Sequence, residues 1–116
     1  MKHKPIKLKD IDGYTVVSAA KEDTGLMYDI LLDSLGKNRV PKCKPRIGVI
    51  AGENVICVSV SDRPRILSDE PFYESAEVIR WVRLNEELIL KHWNKEISDR
   101  EILNLLRSLL HKHAFR

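Results

Sequence analysis

Residues 46–61, RIGVIAGENVICVSVS, constrain the fold more than any other stretch. Two runs, 46–51 and 55–61, are rich in valine and isoleucine and are separated only by Gly52, Glu53 and Asn54. β-Branched residues suit a pleated surface, and Gly and Asn tolerate the positive φ of a tight loop. The pattern predicts a β-hairpin. In its second strand Ile56, Val58 and Val60 alternate with Cys57, Ser59 and Ser61. Successive side chains of a strand point to opposite faces, so one face is greasy and the other small and polar. An antiparallel sheet covered on one side is the expected result.

Two more strands are expected upstream. Residues 14–19 (YTVVSA) follow the turn signal Asp12, Gly13, and residues 26–32 (LMYDILL) follow Thr24 and Gly25. In the latter, Leu26, Tyr28, Ile30 and Leu32 would line one face. Residues 61–71, broken by Pro64 and Pro71, read as a connector. The period then changes. Val78, Trp81, Val82, Leu88, Ile89, His92 and Trp93 recur at helical spacing, which predicts a helix over 75–94 with Asn85 interrupting its apolar stripe. Ser75 is its expected N-cap, and Glu77 favours the first turn. A second helix is expected over 99–112. Ser98 followed by Glu101 makes a capping box, and Ile102, Leu103, Leu105, Leu106, Leu109 and Leu110 form more than one stripe. Strands followed by helices predict an α+β fold. It should hold a roughly four-stranded antiparallel sheet (about 14–19, 26–32, 46–51 and 55–61), with both helices packed on one face. With 116 residues, a single domain spanning 1–116 is expected.

Composition removes several classes. Apolar residues at 43%, charged residues at 32% and a net charge of +3 describe a globular chain rather than a disordered one. No apolar run approaches the ~20 residues of a membrane helix. The segment MKHKPIKLKD is charged throughout and offers no apolar core for a secretory signal. A cytoplasmic location, with Cys43 and Cys57 reduced, is therefore expected. Those cysteines make neither a CxxC nor a zinc spacing. No GxGxxG, P-loop, GxSxG or HExxH occurs. His111 and His113 would point to different sides of a helix. Asp29 and Asp33, four apart on a strand, would stand ~13 Å from each other, too far to share a metal. No metal and no cofactor are expected; enzymatic activity stays open, with none the favoured reading.

A basic, proline-punctuated segment leading into a hairpin, then a helix carrying Val78-Ile79-Arg80-Trp81-Val82 and Leu88-Ile89-Leu90-Lys91-His92-Trp93-Asn94, resembles a group of small bacterial proteins classed as a domain of unknown function. Over residues 38–94 the resemblance implies this same order of hairpin and helix. Members of that group carry an HNPPHFHV-like stretch before the strand, and many are encoded beside a small partner, which suggests toxin–antitoxin pairing. Pro45 fits the pattern. Cys43, Arg46 and Gly48 stand where the group tends to carry histidines, so the resemblance implies a fold here and no site.

The strongest local signal is KNRVPKCKPR, residues 37–46, with Lys37, Arg39, Lys42, Lys44 and Arg46 and no acid. Pro41 and Pro45 would hold it extended. Together with Arg63 and Arg65 it is a candidate grip for phosphates, although no aromatic is interleaved for base stacking. A candidate interface is formed by Trp93, Leu103, Leu106 and Leu110. Trp81 and Trp93 lie 120° apart around one helix axis, so they cannot share one narrow face; both in the core is the default expectation, with Trp93 the one that could be partly exposed and anchor a partner. Two functional expectations follow. The first is a non-catalytic, oligomeric interaction module that self-associates through its C-terminal helix or binds a protein partner. The second is a nucleic-acid-binding protein or toxin-like ribonuclease component using the basic stretch, with His92, or His111 and His113, as the base.

Overall fold

The computed structural model describes residues 6–40, 42–68 and 72–109. It is an α+β fold with one five-stranded antiparallel sheet and four helices. The strands are β1 (Ile6–Lys7), β2 (Val16–Ala19), β3 (Ile30–Asp33), β4 (Arg46–Ala51) and β5 (Asn54–Ser59), in the order β1-β5-β4-β3-β2. The helices are α1 (Lys21–Thr24), α2 (Ser75–Leu84), α3 (Glu86–Trp93) and α4 (Asp99–Leu105). Among the described residues no helix is long and apolar enough to cross a membrane.

The hairpin forms where its alternation requires. Ile47 pairs with Val58 and Val49 with Ile56, so their side chains share a face. Gly52 supplies the positive φ of the two-residue turn. Ile30, Leu32, Ile47, Val49, Ile56 and Val58 of this face pack against Val78, Trp81, Val82, Ile89 and Ile102 from the helices. Trp81 is fully buried, and its indole N–H has no acceptor among the described residues. This one-sided core is the sheet-and-helix layering expected of the pattern.

Several boundaries differ from the sequence reading, each for a local reason. Strand β2 begins at Val16 rather than 14, because the Asp12 side chain caps a 3₁₀ turn over Gly13–Thr15. Strand β3 begins at Ile30 rather than 26. Its partner leaves the sheet after Ala19 to form α1, and the Asp29 carboxylate accepts the Lys21 N–H at 2.7 Å. Leu26 and Tyr28 still join the core, so the alternation was legible where the ladder was not. Strand β5 stops at Ser59, and residues 65–67 fold back along it. Ser59 N–H donates to the Arg65 carbonyl, and Leu67 N–H to the Cys57 carbonyl. The fifth strand, β1, occupies the rest of that edge.

The long helix expected over 75–94 is two helices broken at Asn85. This residue is buried, and its side chain clasps the backbone of Arg107: Nδ2 donates to the Arg107 carbonyl at 3.0 Å, and Oδ1 accepts the Arg107 N–H at 2.7 Å. The clasp also explains why α4 ends at Leu105 rather than near 112. Once the Arg107 peptide is held by Asn85, Leu106 is extended (φ −58°, ψ 135°) and Leu109 turns into the core. Residues 110–112 lie outside the described residues. The capping box at Ser98 and Glu101 is formed as expected. At the other helix start, the N-cap position is Glu74 rather than Ser75.

Asn85→Ala removes the side-chain partners of the part-buried Arg107 N–H and carbonyl. Such losses cost about 1–3 kcal/mol, so the melting temperature should fall by roughly 4–15 °C for a chain of this size. Calorimetry of the variant checks this; an unchanged melting temperature would mean that the clasp does not hold the chain end.

Candidate functional site

Strands β1 and β2 are consecutive in the chain but stand at opposite edges of the sheet. Residues 8–15 must therefore cross a face, and they cross the one without helices. The crossing begins with Leu8 N–H donating to the Glu53 carbonyl at 2.7 Å and ends with the Thr15 carbonyl accepting Ser34 N–H at 2.9 Å. Under it, Leu31 and Val55 are buried although neither belongs to the helix-covered core. Strap and sheet enclose a half-open pocket of about 350 Å³.

Strand register sets the floor. One cross-strand row runs Val16, Asp33, Arg46, Ser59, and the next runs Ser18, Leu31, Gly48, Cys57. Arg65, lying alongside Ser59, extends the first row. Gly48 is the low point: a Cβ there would meet Val55 Cγ1 at 2.7 Å. The strap contributes Asp10, Ile11, Asp12 and Thr15.

The charged groups of the floor differ in how far they are committed. Asp33 is committed fully. Its Oδ1 accepts Leu35 N–H at 2.9 Å and Gly36 N–H at 3.1 Å, and its Oδ2 takes the Arg39 Nε–H. That hydrogen bond raises the Arg39 pKa further above its ordinary value. Arg46 is half-buried, and its guanidinium makes no hydrogen bond or ion pair among the described residues. Beside it, burial pushes the Cys57 thiol up, against the opposing pull of Arg46.

The basic stretch is thereby divided. Lys37, Arg39 and Lys42 edge a shallow cleft with Cys43 and Trp93, while Arg46 lies on the pocket floor. Lys42, Lys44 and Arg63 are exposed, as is Arg65. Of the residues read as an interface, Trp93 is only 5% exposed, in keeping with the default expectation of a core position, and offers no exposed anchor. It lies outside the main core around Trp81. It is buried instead under the turn Gly36–Asn38. Gly36 has φ +49°, and a Cβ there would come 2.1 Å from the Trp93 carbonyl oxygen. Leu103 is exposed, Leu106 packs against the core, and Leu110 lies outside the described residues.

Sequence reasoning missed a second polar cluster. His92, buried at the end of α3, bonds Asp99 at 2.7 Å through Nε2, and the Ser34 hydroxyl donates to both oxygens of the same carboxylate at 3.1 Å. Lys95 Nζ donates to the Ser34 carbonyl at 2.6 Å. The residue types are those of a hydrolytic triad, but the wiring is not. The carboxylate stands between hydroxyl and imidazole, so no base touches the hydroxyl. The cluster fastens the start of α4 to the end of β3. His111 and His113 lie outside the described residues. Among those described, no group of three His, Cys, Asp or Glu side chains could hold a metal ion.

No family model matches this chain. No curated protein and no solved structure is significantly similar to it either.

The hydrogen bond from His92 holds the Asp99 carboxyl below its ordinary value of 3.8, with smaller help from Ser34 and Lys95. A depressed folded pKa means stability present above that ordinary value and lost as pH falls through the folded one. Asp99→Asn should therefore lower the urea midpoint near neutral pH, and the gap to the parent protein should close below about pH 4. Urea titrations at pH 7 and pH 3 check the sign; an equal gap at both would detach Asp99 from the effect.

Proposed function

We propose that this chain is a non-catalytic interaction module that works by binding. It offers the strapped sheet face as a binding surface and self-associates through the outer side of α4. One observation carries the reading. The groups best suited to acid–base or nucleophilic chemistry, His92, Asp99, Ser34 and Asp33, are spent on holding elements together. Arg46, by contrast, lies in a pocket with no partner among the described residues.

Support for self-association comes from α4. Ile102 is fully buried, whereas Leu103 and Leu105 on the same helix are 40% and 51% exposed. Exposed leucines on an anchored helix suit a helix–helix contact between copies. This reading takes the protein to be cytoplasmic, where free Cys43 and Cys57 stay reduced. It is compatible with membership of the bacterial group the sequence resembles, and with a small protein partner in place of a second copy.

The nucleic-acid reading has one observation in its favour: Lys37, Arg39 and Lys42 gather around one cleft. Against it, Arg39 is already paired with Asp33. A ribonuclease would also need an accessible base, and His92 is 4% exposed.

Sedimentation equilibrium decides the main reading. The parent protein should associate in the micromolar range, and the double variant Leu103→Asp/Leu105→Asp should be monomeric with an unchanged circular-dichroism spectrum. Both side chains are exposed, so the fold should tolerate the change. A parent protein that stays monomeric throughout removes self-association.

A further inference from the structure

We infer that the strapped pocket is a site for a small organic carboxylate: one negative charge on an apolar body, the carboxylate held by Arg46. The inference rests on reading the strapped face as a binding surface, and it is independent of association through α4.

Size comes first. A volume of about 350 Å³ sits at the small end of the ~300–1,000 Å³ of ligand pockets. It suits an aryl or medium-chain acid better than a nucleotide or a peptide. The walls agree. Ile11 on the strap and Leu31, Gly48 and Val55 on the floor are apolar, and Val55 packs over Gly48, where a Cβ would come 2.7 Å from its Cγ1.

The charge pattern then selects among small ligands. Two guanidiniums line the pocket, but Arg39 is neutralised by Asp33, and that carboxylate is in turn saturated by two backbone N–H groups and Arg39. Arg46 has no such partner among the described residues. Its register neighbour across the sheet is Asp33, the acid that Arg39 has already taken. A half-buried, unpaired guanidinium beside apolar walls is costly unless something anionic reaches it. A carboxylate satisfies it with two parallel hydrogen bonds.

The same pattern sets an upper limit on ligand charge. Asp10 and Asp12, both exposed, stand on the strap at the mouth. Asp12 Oδ1 is occupied by Tyr14 N–H, but its charge remains, and Asp10 makes no hydrogen bond or ion pair among the described residues. With one uncommitted cation on the floor and two acids on the roof, a second negative charge on the ligand is repelled. Polyphosphates and nucleic acid are therefore disfavoured in this pocket, in line with the departure of Lys37 and Lys42 to a different cleft.

The test uses the full chain and defined probes. Octanoate and benzoate are titrated against the ¹⁵N-labelled protein, with octanamide and benzamide as neutral counterparts. At least one acid should shift the amide signals of Ile11, Leu31, Gly48 and Cys57 saturably, and its amide should bind at least tenfold more weakly. Loss of a charged hydrogen bond is worth about that factor or more. Arg46→Gln should abolish the preference for the acid, while Lys44→Gln, an exposed lysine off the pocket lining, should leave it intact. Should Arg46→Gln fail to fold, the comparison of acid with amide on the parent protein still decides. Equal binding of acid and amide would overturn the carboxylate assignment while leaving a binding pocket. No saturable shift at these amides with any probe would overturn both the ligand and the reading of this face as a binding surface.

Discussion

Two edge strands that follow one another in the chain must be joined across the sheet. Everything distinctive about this protein depends on that crossing. Had residues 8–15 run around the end of the sheet, the face opposite the helices would be open, and Leu31 and Val55 would be wet. Instead a segment without regular periodicity covers them. The sheet acquires two unequal interiors: a large one of aliphatic residues around Trp81 and a small one with apolar walls and charged groups among them. The large interior supplies the hydrophobic stabilisation. The small one keeps a half-open pocket of about 350 Å³ between strap and sheet.

Polar side chains do much of the work of joining elements. Asp33 ties the end of β3 to the turn after it and to Arg39. Ser34, His92 and Asp99 tie that same strand end to the start of α4, and Asn85 ties the kink between α2 and α3 to the chain end. The Asp33 contacts are local, whereas Ser34 to Asp99 and Asn85 to Arg107 join segments far apart in sequence, and each fixes an orientation that apolar packing alone leaves loose. The groups used here are the ones that a search for catalytic residues would rank first, so their structural employment is the physical basis for reading the protein as a binder.

The covered sheet was legible because it obeys a period. Ile47, Val49, Ile56 and Val58 alternate, so the hairpin and its greasy face could be read directly, and Ser98 with Glu101 announced the start of α4. The strap was not legible. Residues 8–15 follow neither a period of two nor one of 3.6, and their role comes from where β1 lands, which depends on a pairing with residues 54–55 that no local signal encodes. The candidate site shared that difficulty. Arg46 was visible as a cation among five, but nothing in the sequence distinguishes it from Arg39. The difference arises only when β3 and β4 align and Asp33 chooses one of the two. Trp93 has a corner of its own because the kink at Asn85 parts its helix from that of Trp81.

That corner has an evolutionary consequence. Where two side chains collide, a change in one can be answered by a change in the other, and sequences drift along such compensating pairs. At Gly36 the obstruction is the carbonyl oxygen of Trp93, and the backbone has φ +49°. No side chain substituted at 93 moves that oxygen, and no L-residue relieves that φ. The glycine can be released only by rebuilding the path of the chain between β3 and β4. Position 36 is thus free of side-chain partners and, for that reason, less able to vary than positions that have them.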